Sequence, residues 1–231
     1  MKIILKQIKQ ILVVAILMLI VTPVFSQGVH HIAQIKPKPA AVKPVGQAAK
    51  PVKMSAQLAE FTRIAATANV IFTFPKGFKE IKAPDNDYFS FDYAMALPGK
   101  DLEIWLLVKS QKENWASYEK SKDSPGAEQA NPDSTYSSLA EANAAAFTGD
   151  DKHFVKNIPP EVLEKYNADA GKSYLLNLRD QPATKRYKYA LLITLQKSHT
   201  GIIMAVCFTN DKGPEFFKNM DKAANSMKFK P

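Results

Sequence analysis

The 42-residue stretch Lys188–Phe229, KYALLITLQKSHTGIIMAVCFTNDKGPEFFKNMDKAANSMKF, decides the fold. Tyr187, Tyr189, Leu191, Ile193 and Leu195 alternate with Lys188, Ala190, Leu192, Thr194 and Gln196. That period of two predicts a strand with one fully apolar face and one mixed face. Ile202 to Phe208 is apolar at every position, which predicts a central strand covered on both sides. Between them, Lys197–Gly201 is polar and ends in glycine, as a short hairpin loop requires. Pro214 suits a first helical turn, because its missing N–H has no intrahelical partner to lose. Phe217, Met220 and Ala224 then recur at helical spacing, which predicts a helix over 214–225 and a closing strand at Met227–Phe229.

The chain ahead of this unit divides into an address, a tether and a domain. Residues 1–26 have the pattern of a secretory signal peptide: Lys2, Lys6 and Lys9, then the apolar run Ile11–Val21, then a cleavage region ending at Ser26. The run is shorter than the roughly 20 residues of a membrane span. Cleavage is expected between Ser26 and Gln27, giving an exported protein of the periplasm or the external medium. Residues 27–54 interleave Pro37, Pro39, Pro44 and Pro51 with Lys36, Lys38, Lys43, Lys50 and Lys53. Such a composition cannot pack a core and predicts a disordered, extended linker, or a basic arm touching an anionic surface. His30 and His31 open it with no third ligand fixed nearby, so no metal site is assigned.

The charge follows the same division. The chain has 31 Lys and Arg against 22 Asp and Glu, a net +9. Eight of the lysines and none of the acids precede Ser55, so the rest carries only +1. The near-neutral domain removes the main argument for a nucleic-acid partner.

Residues 55–231 are long enough for one domain with a sizeable core. Ser55 is placed to cap a helix in which Leu58, Phe61, Ala65 and Ala68 share a face. Val70–Phe74 reads as a strand stopped by Pro75, and Tyr88–Met95 and Leu102–Val108 as the arms of a hairpin turned at Leu97–Asp101. Ser110–Asp133 reads as a polar irregular segment containing two large aromatics, Trp115 and Tyr118. An alanine-rich helix from Asp133 or Ser134 to Phe147, a short one from Pro160 to Tyr166 and a strand at Lys172–Leu178 follow.

Motifs that carry chemistry are incomplete. Gly171-Lys172-Ser173 lacks the glycine five residues earlier that a phosphate loop needs, since Tyr166 stands there. Asp85-Asn86-Asp87 meets Phe89 and Ser90 where a calcium loop needs a polar ligand and a glycine. Ser117-x-x-Lys120 and His199-Thr200-Gly201 match two motifs of penicillin-recognising enzymes, but the middle motif is missing. Asp150-Asp151-Lys152-His153 reads as a solvated turn. Cys207, the only cysteine, excludes an internal disulfide and reads as a small buried hydrophobe. No catalytic, cofactor-binding or metal-binding residue is assigned. Trp115 and Tyr118 are the candidate partner-binding residues: either they are exposed aromatics of the kind that anchor interfaces, or the segment packs them back over the sheet.

The order of elements from Val70 to Phe229, with the opening Val70-Ile71-Phe72-Thr73-Phe74-Pro75-Lys76-Gly77-Phe78 and the closing Phe216-Phe217 to Ser226-Met227-Lys228-Phe229, resembles the PsbP/DcrB-like family. The resemblance implies an α+β fold, an antiparallel sheet packed between helices as an α/β/α sandwich. It also implies a non-enzymatic binding or accessory module whose partner is an envelope protein or complex. An envelope hydrolase and a small-ligand or lipid carrier are the alternatives. The insert Ser110–Gly171 departs from a minimal member and is the expected working surface.

Overall fold

A computed structural model describes residues 54–124, 130–150 and 153–231. The expected signal peptide and linker lie outside the described residues. The fold is α+β: one large antiparallel sheet with helices on both faces. In chain order the elements are α1 (Ala56–Thr67), β1 (Val70–Phe72), β2 (Lys79–Ile81), β3 (Tyr93–Ala96), β4 (Glu103–Ser110), α2 (Lys112–Ser121), α3 (Thr135–Thr148), β5 (Phe154–Asn157), α4 (Pro160–Tyr166), β6 (Ala170–Asn177), β7 (Tyr189–Lys197), β8 (Gly201–Thr209), α5 (Pro214–Asp221) and β9 (Met227–Phe229). Seven strands pair in the order β2-β3-β4-β8-β7-β6-β5, and β1 pairs with β9 in a separate ribbon. Among the described residues, no helix is long and apolar enough to cross a membrane.

The β7–β8 hairpin of the Lys188–Phe229 unit sits at the centre of this sheet. β7 and β8 form a hairpin in register from Tyr189↔Thr209 to Lys197↔Gly201. β4 then pairs with the other side of β8. Gly201 is required where the hairpin closes: a Cβ there would lie 2.8 Å from the Lys109 carbonyl oxygen and 2.9 Å from Ala68 Cβ. β8 is central, as its unbroken apolar run predicts, and is buried along both faces except at Ala205. α5 ends at Asp221, four residues before the predicted Asn225, and Lys222–Asn225 turns back into β9.

Two cores lie on opposite sides of the sheet. On one, α1, α4, α5 and the β1–β9 ribbon cover Tyr93, Met95, Ile104, Leu106, Ile203 and Cys207. On the other, α3 covers Trp105, Leu192, Met204, Val206 and Phe208. Here Phe147 stacks on Phe89 with ring centroids 4.3 Å apart, and Trp105 meets Phe208 at 4.3 Å. Glu103 on β4 and Thr194 and Gln196 on β7, both interior strands, are buried polar side chains.

The structure corrects several expectations. The Tyr88–Met95 strand is in fact short, Tyr93–Ala96. Phe89 and Phe91 do not share a face with Tyr93 and Met95, but pack in the opposite core. The break falls at Asp92, whose carboxylate accepts the Val108 N–H at 2.7 Å, while its own N–H donates to the Leu106 carbonyl at 3.0 Å. On β7 the burial is the reverse of the apolarity. The mixed face (Ala190, Leu192, Thr194, Gln196) is buried, whereas Tyr189, Leu191 and Ile193 of the apolar face are half-exposed. Burial is set by the cover available, and α3 is a longer lid than α5. Val70–Phe74 is a strand only to Phe72, and its partner is β9. β2, α2 and β5 are elements that the apolar pattern does not announce.

Candidate functional site

The irregular segment expected after Ser110 is a helix for its first half. α2 spans Lys112–Ser121, and none of its residues is buried. A ten-residue helix in water is marginal without a packed face, so something else must hold it. Trp115 does. Its indole Nε1 donates to Asp133 Oδ1 at 2.8 Å, and its ring lies 3.8 Å, centroid to centroid, from His199. Tyr118, one turn further, meets Trp115 edge-on at 5.2 Å. Trp115 and Tyr118 are half-exposed and His199 is exposed.

Three distant parts of the chain build this joint. His199 occupies the β7–β8 turn in the left-handed region, with φ of 58°. Its N–H donates to the same Asp133 carboxylate at 3.1 Å. One acid therefore ties the helix and the turn together. Beneath it, Gln111 is buried: its N–H donates to the Thr200 carbonyl at 3.0 Å, and its side-chain amide donates to Thr135 Oγ1 at 2.9 Å. The turn is fixed from the other side by Asp169, which takes the Ser198 N–H at 2.8 Å and Lys197 Nζ at 2.9 Å. Burial pushes the Asp169 carboxyl up, but the hydrogen bonds from Ser198 and Lys197 outweigh it and hold it below the ordinary range. The outcome is a preorganised aromatic step at one end of the sheet. The sequence singles out Trp115 and Tyr118, and places His199 only in a polar hairpin loop and an incomplete motif. A histidine in a polar turn, 84 positions from Trp115, carries no signal of that contact.

The remaining candidates do not assemble a reaction. His199 lies beyond the Lys197 end of β7, and His153 lies beside Leu175 and Asn177 at the opposite end of β6. Counting residues along β6 puts them roughly 20 Å apart. Ser117 and Lys120 are exposed on α2. Gly171, Lys172 and Ser173 are strand residues, and a Cβ on Gly171 would meet the Thr194 carbonyl oxygen at 2.9 Å. Asp85–Asp87 forms a turn in which Asn86 Oδ1 accepts the N–H groups of Tyr88 and Phe89. The Asp150–His153 reading reaches residues 151–152, outside the described residues. Among the described residues, no group of three or more metal-ligating side chains could hold an ion. Burial pushes the Cys207 thiol up to about 12, which keeps it a thiol at neutral pH.

One buried carboxylate stands out at the other end of the sheet. Glu103 accepts Trp105 Nε1 at 2.6 Å and Lys185 Nζ at 2.6 Å, with the Tyr187 hydroxyl at 3.4 Å. Lys185 and Arg186 both have positive φ, 53° and 59°, a conformation that costs energy in non-glycine residues. Burial, then the nearby Glu103 and Asp101, push the Tyr187 phenol up to about 12. Both Glu103 carboxylate oxygens, the Trp105 indole and Lys185 Nζ are thus partnered within the fold, as befits a structural anchor. No family model matches the chain, and no curated protein matches it either.

Proposed function

We propose that this is an exported bacterial envelope protein of PsbP/DcrB-like type, acting as a non-enzymatic binding or accessory module. Its working surface is α2 with the Trp115–Tyr118–His199 step, and its partner is an envelope protein or complex. The observation that carries this reading is a helix with no buried residue, tied to the fold by polar side chains and a hydrogen-bonded, half-exposed tryptophan. A helix that buries no residue in the core keeps Trp115 and Tyr118 half-exposed, within reach of a partner. Trp and Tyr on a fixed backbone give large contact area at small entropic cost. α2 carries both charge signs, and its Glu119 pairs with Lys122 just past its end at 2.8 Å, so the anchor is aromatic rather than electrostatic. The test is recovery of partners from crosslinked envelope with the natural chain and with Trp115→Ala/Tyr118→Ala. Loss of a defined partner in the double variant supports the reading. Recovery of the same set from both contradicts it.

A further inference from the structure

The half-exposed apolar face of β7 leads to a second site, which shares no residue with the α2 step. Between α5, α4 and the sheet lies a cavity of about 130 Å³. Its floor is the sheet face carrying Ile193, Leu195, Ala205 and Cys207. Ala205 is the cause of the hollow. It sits opposite Ile193 on β7 and Leu106 on β4, and it is the one residue of β8 that is only half-buried. A small side chain between branched neighbours leaves a dent. α5 ends too early to fill it, since its last turn is at Asp221. The lining includes three methionines, Met95, Met220 and Met227, whose flexible thioethers adapt to an irregular occupant. At the mouth stand Tyr166 and the exposed carboxylate of Asp221.

We infer that this cavity binds a small apolar group of about the size of a benzene ring, carried by a molecule with a cationic or hydrogen-bond-donating end that faces Asp221 and Tyr166. A volume near 150 Å³ with aliphatic walls is enough to hold a benzene-sized guest. Here the lining is mostly aliphatic and thioether, with the Cys207 thiol on the floor and Tyr166, Asp221 and Ser226 as the other polar residues. An anionic end would meet Asp221 and is disfavoured.

Cys207 offers the readout, because it is the chain's only cysteine and lines the floor. The experiment follows the rate of Cys207 modification by a thiol reagent on the full chain, with toluene, benzylamine or benzoate present. Toluene and benzylamine are expected to slow the reaction in a saturable way. Benzylamine should bind about threefold more tightly than benzoate, the scale of one exposed charge pair. Asp221→Asn should remove that preference and leave toluene unchanged. Ala205→Leu, which fills the hollow, should abolish protection by all three and raise Tm. Cys207→Ser controls for reagent specificity, and thermal shift with toluene on that variant reads binding without the thiol. Absence of both protection and thermal shift overturns the inference. So does a benzoate affinity equal to that of benzylamine, or an Ala205→Leu protein that still binds toluene. A dimer that Ala205→Leu dissociates would overturn it in favour of a second copy.

Discussion

α2 and α3 are neighbours in sequence and opposites in structure. α3 buries Ala140, Ala144 and Phe147 and closes one face of the sheet. α2 buries nothing and leans on a turn through one indole. The expected working surface, Ser110–Gly171, is therefore not one region. Its α3 half is scaffold, as firmly built in as β8, and its α2 half is surface. The difference teaches that an insert's function cannot be assigned by its length or polarity. It has to be read from which of its side chains the core has already taken.

The largest effect that could break this contrast is on stability. Phe147→Ala should cost about 4 kcal/mol in urea unfolding, the scale for removing a fully buried aromatic. Phe147 is wholly buried and touches Phe89, Phe91, Trp105 and Phe208. Trp115→Ala should cost no more than about 1 kcal/mol, since its ring is half-exposed and one hydrogen bond is lost. Equal losses for the two variants would make α2 part of the scaffold and remove the contrast.

A smaller effect compares the two acids that hold a tryptophan. Glu103→Ala leaves Trp105 Nε1 buried without an acceptor and should cost about 2 kcal/mol. Asp133→Ala frees an indole that can reach water, and about 1 kcal/mol is expected. Lys185→Ala tests the outer side of the Glu103 pair. The lysine is 53% exposed, so screening reduces its loss to about 0.5 kcal/mol. Denaturant midpoints for the three variants should fall in that order.

The smallest effect is in the acid limb of the stability profile, where Asp92 and Asp169 act with opposite sign. Burial raises the Asp92 carboxyl, so the folded protein takes up its proton before the unfolded chain does. That contribution grows as pH falls from neutral towards the ordinary aspartate value of about 4. The Asp169 carboxyl is held low, so its contribution is complete above about pH 4 and is lost as pH falls through the folded value. Asp92→Asn should flatten the profile above that pH and Asp169→Asn below it. Unfolding midpoints measured across the acid range check both. The loss should be seen first at the Ser198–His199 turn on which α2 rests.

The sequence announces the elements whose burial is periodic. β8, β9 and the Ser55-capped α1, in which Ser55 Oγ accepts the Leu58 N–H at 3.0 Å, lie where their patterns put them. α2 is missed for a physical reason: a helix without a buried face has no apolar period to detect. β5 is missed for the same reason, as all four of its residues are exposed at the sheet edge. The Phe89–Phe91 crossing is hidden because alternation continues through Asp92 while the backbone does not. The open apolar face of β7 is a tertiary property, fixed by where α5 stops. Of the candidate site, Trp115 and Tyr118 were legible as large aromatics in a polar segment. Asp133 and His199 were not, because only the folded chain brings them to the indole.

The most direct test replaces Tyr118 with a photo-crosslinking aromatic residue in the natural envelope, with Phe154 replaced in the same way as the comparison. Phe154 is more exposed than the half-exposed Tyr118 and lies on the edge strand β5. A discrete crosslinked partner from position 118 and none from position 154 is the predicted result. No adduct at 118, or the same adducts from both positions, would contradict the assignment of α2 as the working surface.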